Sequence, residues 1–379
     1  MLLEGLHIPL TTPFHPDGRL NLPKLAANVA RYSKSPAAGL LVLGPQGEPT
    51  LLSDDETRQV LRAAAQAASP EKVLLAGISR DSVRATLALA DLAADQHYDA
   101  VLVGVPTILT SEIQAAEGLT TESASEHRAR RREFLLYFQS IADRSPLPVV
   151  LFSDRDRRIP QDAIVELAAH PLILGLLDAV ARPAEIEAIT HRTAAIRHEV
   201  TVTPVFRAVT ARMTAAVSRA PATFVSADSL AAQLAAQPSA DRAASATAVA
   251  EAPQLPTASP LRTRSKSVGF QVLTGDTLAI PEALRAGASG AAPALAACAP
   301  QACYEVLAAC KDGDRALAEE KQTRLREASC FTEAGTGIGN LKFACDLNGY
   351  FGGLPRLPQL PPSGDQRAAL ERLMKQLRN

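Results

Sequence analysis

Val73-Leu74-Leu75-Ala76-Gly77-Ile78 carries no charged or polar side chain, and after a short turn it leads into residues 83–94, where Val83, Leu87, Ala90 and Ala94 share one helix face. A half-exposed strand would alternate in polarity. A run apolar on both faces belongs in a parallel sheet covered by helices. The same unit recurs at Ala100-Val101-Leu102-Val103-Gly104-Val105-Pro106 and Pro148-Val149-Val150-Leu151-Phe152, and at residues 6–11, 39–44 and 173–178. Gly269-Phe270-Gln271-Val272-Leu273-Thr274-Gly275-Asp276 and the small-residue run 287–295 supply a seventh and an eighth strand. Strands alternating with Ala-rich helices give the α/β class, closed as a TIM (β/α)8 barrel. Glu199-Val200-Thr201-Val202-Thr203 is a competing strand that would raise the count to nine, so its place in or outside the barrel is open.

The chain has 379 residues, 47% hydrophobic and 21% charged, enough to bury a large core. Residues 214–266 break the rhythm with Ala, Ser, Pro, Thr and Gln, a composition that offsets little ordering entropy. They are expected to form a flexible insertion in a barrel spanning residues 1–300, followed by a C-terminal helical region, 301–379, with a Pro-rich interruption at 352–362. Lys plus Arg is 39 against 40 for Asp plus Glu, so no global field favours nucleic acid or an anionic membrane. No apolar run approaches the roughly 20 residues that span a bilayer, and the first residues lack a basic leader. A cytoplasmic protein is expected. Cys298, Cys303, Cys310, Cys330 and Cys345 match no zinc or redox spacing, which fits reduced thiols.

Several segments, in order, resemble the dihydrodipicolinate synthase/N-acetylneuraminate lyase family of pyruvate-dependent aldolases. The carriers are Pro9-Leu10-Thr11-Thr12-Pro13-Phe14 with Asp17-Gly18, Gly44-Pro45-Gln46-Gly47-Glu48 with Leu52-Ser53-Asp54-Asp55-Glu56, the strand ending at Pro106, Gly175-Leu176-Leu177-Asp178, Thr274-Gly275-Asp276 and the closing segment 349–358. The resemblance implies an eight-stranded barrel with extra C-terminal helices, assembled as a homo-oligomer, usually a tetramer. It also implies a Schiff-base lysine at the end of the sixth strand. Leu177 stands there. The eight lysines are Lys24, Lys34, Lys72, Lys266, Lys311, Lys321, Lys342 and Lys375, so none lies between Val73 and Ser265. Phe152 takes the place of the family's proton-relaying tyrosine, Pro45 and Gln46 replace its paired threonines, and Thr107-Ile108 replaces an aromatic pair.

What remains suits an anion. Arg157 falls where the family places an arginine near the substrate carboxylate, and a guanidinium fork fits a carboxylate bidentately. It also reads as part of a solvated loop with Arg155 and Arg158. Gly44, Gln46, Gly47 and Glu48 border the same mouth, the glycines either opening backbone N–H groups to an anion or simply turning the chain. Asp178 ends a barrel strand at the face where such folds react, or else caps the next helix. The expected protein therefore keeps a cleft for a small carboxylate or keto acid without Schiff-base aldol chemistry. Alternatives are a lysine-independent carbon–carbon lyase and a structural or regulatory subunit of an active homologue.

Other signals carry less. No cofactor or metal is expected: Gly335-Thr336-Gly337-Ile338-Gly339-Asn340 lacks a dinucleotide fingerprint's third glycine and reads as a turn opening a helix. Ser69-Pro70-Glu71-Lys72 reads as a connecting turn. His191 and His198 are expected on one helix, too far apart for joint metal ligation. His7 is expected on the first strand, as a structural histidine or, with Glu48 and Asp178, as a metal ligand.

Overall fold

The doubly apolar runs become strands β1 (Gly5–Pro9), β2 (Gly39–Val42), β3 (Val73–Gly77), β4 (Ala100–Gly104), β5 (Val149–Ser153) and β6 (Ile173–Asp178). A separate pair follows, β7 (His198–Val202) and β8 (Arg264–Val268), and then β9 (Gln271–Thr274) and β10 (Gly290–Ala291). The computed structural model describes residues 1–109, 124–180, 182–219, 261–333 and 337–377. In it β1 to β6, β9 and β10 form a closed parallel barrel in the order β1-β10-β9-β6-β5-β4-β3-β2. The helices are α1 (Leu22–Ser33), α2 (Asp54–Ala67), α3 (Val83–Asp95), α4 (Ala124–Ala142), α5 (Gln161–Leu167), α6 (Pro183–Arg192), α7 (Ala211–Arg219), α8 (Ile280–Arg285) and the C-terminal α9 (Pro300–Lys311), α10 (Arg315–Glu333), α11 (Ile338–Leu347) and α12 (Gly364–Met374).

Alternation along each strand divides the apolar residues between two cores. Leu74, Val101 and Leu176 join the layer between sheet and helices. Leu41, Leu75, Leu102, Val150, Leu177 and Leu273 point inward and fill the barrel, as a packed interior rather than a pore. Local signals set the surrounding turns. Ser53 and Glu56 form a reciprocal capping box at the start of α2 (3.2 and 2.9 Å), with Asp54 and Asp55 in the first turn. Such a cap contributes about 1 kcal/mol.

The ninth strand candidate lies outside the barrel. It is β7, paired antiparallel with β8 from His198↔Val268 to Val202↔Arg264. The expected insertion therefore has structured edges: α7 begins before residue 214 is reached, and β8 spans Arg264 to Val268. Composition hid β8 because Ser265 and Ser267 face solvent in a two-stranded ribbon. Residues 220–260 lie outside the described residues. His191 and His198 do not share a helix, since His191 is on α6 and His198 opens β7. Gly337 (φ 59°) precedes α11 as the expected opening turn, with Gly335 and Thr336 outside the described residues. Lys72 N–H donates to Ser69 O (3.1 Å), closing the expected turn there. The five cysteines are free. Among the described residues no helix is long and apolar enough to cross a membrane.

The C-terminal helices are tied to the barrel's upper loops through Glu333, whose carboxylate accepts from Thr277 Oγ1 (2.5 Å) and Leu295 N–H (3.1 Å). Burial pushes its pKa up to about 7, against the hydrogen bonds from Thr277, Ser329 and Leu295. The folded state thus keeps this proton to higher pH than the unfolded chain. Its contribution is full below the ordinary glutamate range and lost as pH rises through about 7. Glu333→Gln is expected to raise Tm at pH 8 more than at pH 5. Thermal melts at both values check it, and equal shifts would refute the assignment.

Candidate functional site

The C-terminal ends of β2, β3, β4 and β5 surround a small cavity of about 70 Å³. Its base is apolar, formed by Leu43, Leu102 and Phe152, and its rim carries Ser79, Arg80 and Arg157. Gly77 is required at this point, because a Cβ there would stand 2.0 Å from Leu43 O.

After β2 the chain makes a tight turn, Pro45–Gly47, flanked by two non-glycine residues in the left-handed region, Leu43 (φ 57°) and Glu48 (φ 53°). Such backbone persists only where its surroundings hold it. Thr12 Oγ1 donates to Gly47 O (2.6 Å). Glu48 accepts from Arg356 N–H (2.9 Å) and forms an ion pair with Lys342. Lys342 Nζ also donates to Leu354 O (3.0 Å) and lies 4.4 Å from the Phe14 ring centroid. Burial pulls the Lys342 ammonium pKa down, opposed by Glu48.

The two guanidinium groups come from different loops. Arg80 follows β3 and donates to Thr57 Oγ1 (3.1 Å), with Asp54 at 3.6 Å; its carbonyl accepts from Tyr137 OH (2.8 Å). Ser79 Oγ accepts from Gly104 N–H (2.7 Å). Arg157 sits in a turn after β5 organised by Asp154, which accepts from Asp156 N–H (3.1 Å) and Arg157 N–H (2.8 Å) and pairs with the Arg157 guanidinium at 3.2 Å. The turn therefore fixes the backbone that presents Arg157 to the cavity.

Of the residues expected at the site, Gly44 and Arg157 line the cavity. Gln46 and Gly47 belong to the turn beside it, and Glu48 turns away to Lys342. Asp178 is buried, accepts from Val180 N–H (3.0 Å) and pairs with Arg158 (3.3 Å), which also holds Glu185 (2.8 Å). Burial raises its pKa, opposed by the Val180 hydrogen bond and by Arg158. His7 lies in β1 beside Gly39, where its Nε2 meets Leu3 O at 2.9 Å. Burial lowers its pKa to about 4. His7, Glu48 and Asp178 are not brought together: among the described residues no group of three or more His, Cys, Asp or Glu could hold a metal ion.

Leu177 packs with Leu102, Phe152 and Leu273 and is 2% exposed. Among the described residues no lysine lines the cavity. Lys72 donates to Ser35 O and Ala37 O (2.7 Å each), below the start of β3, and Lys266 and Lys321 pair with Glu4 and Glu305. Arg80, Ser79 and Lys342 were not singled out in the sequence. Arg80 could have been, since it directly follows a strand on the face where barrels place their sites. The rim thus offers two guanidinium groups and a hydroxyl above an apolar base. That arrangement can hold a small anion by charge-assisted hydrogen bonds.

Known proteins share this arrangement of strands and helices. The model of the Dihydrodipicolinate synthetase family matches residues 2–114 and 258–377. A 4-hydroxy-tetrahydrodipicolinate synthase from Xanthomonas campestris is 29% identical over 192 residues, covering 50% of this chain and 58% of that enzyme. An L-threo-3-deoxy-hexylosonate aldolase from Hypocrea jecorina is 32% identical over 184 residues, covering 45% of this chain and 52% of that enzyme. The chain therefore spans little more than half the length of these curated relatives. A dihydrodipicolinate synthase from Bacillus anthracis superposes with a TM-score of 0.70 at 18% identity, covering 99% of both chains. One from Aquifex aeolicus gives 0.69 at 18%, covering 98% of this chain and 97% of that one.

Proposed function

The chain belongs to the dihydrodipicolinate synthetase family, and from that premise we propose that it binds a small carboxylate or keto acid at the barrel mouth without forming a Schiff base. The observation carrying this reading is the lining of the mouth cavity: Arg80 and Arg157 at the rim, no lysine, and Leu177 in the adjoining apolar cluster. A carboxylate would take bidentate hydrogen bonds from one guanidinium, while Phe152 and Leu102 cover its apolar end. Phe152 offers no hydroxyl to carry a proton. Pro45 and Gln46 likewise supply no relay of hydroxyls at the β2 turn. We read residues 1–300 as the barrel unit and 301–379 as its helical companion; a homo-oligomer follows from the resemblance, and a cytoplasmic location from the cysteine pattern.

The test is calorimetry with pyruvate and a panel of small carboxylates, combined with borohydride trapping. Binding without a covalent adduct is expected. Arg157→Ala is expected to weaken binding about tenfold or more, the loss of a charge-assisted hydrogen bond at about 1.5–3 kcal/mol. A borohydride-stabilised adduct on the wild-type chain would overturn the mechanism. Silence across the whole panel would overturn the cleft.

A lysine-independent lyase is the second reading. It is favoured by Asp178, a buried carboxyl beside Leu177 whose pKa burial raises, a shift that strengthens the carboxylate as a base. Turnover abolished by Asp178→Asn would select it, and a partner homologue co-purifying in a stable mixed assembly would select a subunit role instead.

A further inference from the structure

At the opposite end of the barrel, below the N-terminal ends of β1, β2 and β3, lies a second cavity of about 500 Å³. Helix α9 forms one wall. The turn at residues 203–207, between β7 and α7, stands over it with Val205 (71% exposed) and Phe206 (54% exposed) at its tip. Phe206 holds a left-handed backbone (φ 60°), fixed by its N–H to Thr203 O (2.9 Å) and by Thr203 N–H to Arg207 O (2.8 Å). Its ring lies 5.9 Å from the Arg264 guanidinium. Below the turn, α7 is anchored to the barrel, because Asp99 accepts from Ala211 N–H (2.6 Å) and faces Arg212 at 3.7 Å. The turn and α7 fall in residues 115–257, the part of the chain that the family model leaves unmatched.

The lining is cationic. Lys34, Lys72, Arg207 and Lys311 face two carboxylates, Glu4 and Glu71, which leaves a net charge of +2. Glu4 pairs with Lys266, outside the lining, at 2.5 Å, and Glu71 with Arg207, within it, at 3.8 Å, so the surplus positive charge sits on Lys34, Lys72 and Lys311. Lys72 spends two N–H groups on Ser35 O and Ala37 O (2.7 Å each) and keeps a third. Three of the four cations are ammonium groups, compact point charges that can bind phosphate without imposing the planar fork of the guanidinium groups at the mouth. The volume falls in the ordinary range for small-ligand sites, roughly 300–1,000 Å³. Phe206, Val205 and Leu307 add apolar surface at its edge.

We propose that this cavity binds a small phosphate monoester, its dianionic head between Lys34, Lys72 and Lys311 and its organic part against Phe206. The site is separate from the barrel mouth and does not depend on what binds there. Calorimetry on the full chain with phenyl phosphate, inorganic phosphate and citrate tests it. Phenyl phosphate is expected to bind with an affinity that falls as NaCl is added. Lys34→Glu/Lys311→Glu should weaken it at least tenfold while the melting curve confirms the fold. Phe206→Ala should weaken phenyl phosphate and leave inorganic phosphate unchanged, and Arg157→Ala should change neither. The proposal fails if phenyl phosphate gives no binding, if citrate binds as well, if the double charge reversal has no effect, or if Arg157→Ala abolishes the signal.

Discussion

Lys342→Met is expected to lower the unfolding free energy by about 3–5 kcal/mol, the cost of stranding one member of a buried ion pair. The Lys342 and Glu48 side chains are 0% and 1% exposed. Methionine keeps most of the volume but supplies no donor, so Glu48 would keep only the Arg356 N–H, and Leu354 O would lose its partner. The Phe14 ring would retain a single cation, the Arg356 guanidinium at 4.4 Å. Urea unfolding monitored by circular dichroism reads the loss as a lower midpoint at unchanged slope. The double variant Glu48→Gln/Lys342→Met should cost less than the sum of the two single variants, because no buried charge is left alone. A single variant within roughly 1 kcal/mol of wild type would mean that water reaches the pair.

The position of this pair explains the size of the effect. Glu48 closes the strained turn after β2, whereas Lys342 sits on α11 in the C-terminal region. The pair therefore joins the mouth to the added helices, and Arg356 reinforces the joint by a two-pronged contact with Glu56 (2.7 and 2.5 Å) and a bond to Leu51 O (2.7 Å). Weakening it is expected to loosen the loop carrying Gly44 as well as the fold.

The barrel was legible because its strands are apolar on both faces, a signal that needs no knowledge of tertiary structure; the runs 73–78 and 100–106 become the strands Val73–Gly77 and Ala100–Gly104, one and two residues shorter than read. Glu48, Arg157 and Asp178 were legible as residues at strand ends, but their partners were not. Glu48 and Lys342 meet across nearly the whole chain, and nothing local in Leu341-Lys342-Phe343 marks that lysine as buried. Arg158, adjacent to the arginine singled out, is the one that meets Asp178. The ribbon of β7 and β8 was half legible: Val200 and Val202 alternate as a strand should, while Ser265 and Ser267 on its partner carry no apolar face. Arg80 was legible as a residue directly after β3, but its meeting with Arg157 at one cavity was not, because Arg157 arrives from a different loop.

Leu177→Lys is expected to give the imine that, on the proposed function, the native chain does not form. The new side chain would enter the cluster of Leu102, Val150, Phe152 and Leu273, where the charged form is disfavoured by desolvation. Fully buried amines can titrate about 3–5 units low, so this one should be largely neutral near pH 7 and nucleophilic toward a bound carbonyl. Pyruvate with borohydride is then expected to give a reduced adduct mapping to residue 177 in the variant and none in wild type. Labelling should fall in Leu177→Lys/Arg157→Ala if the guanidinium holds the carboxylate of the same molecule. A lower Tm is the expected cost, since the amine loses hydration without gaining a partner. The adduct should accumulate without aldol turnover, because Phe152 and the Pro45-Gln46 turn supply no hydroxyl to move the next proton; restoring one with Phe152→Tyr tests that step separately. A folded Leu177→Lys chain that binds pyruvate yet resists trapping would show that residue 177 does not face the carbonyl, and the assignment of the mouth as a keto-acid cleft would fail with it.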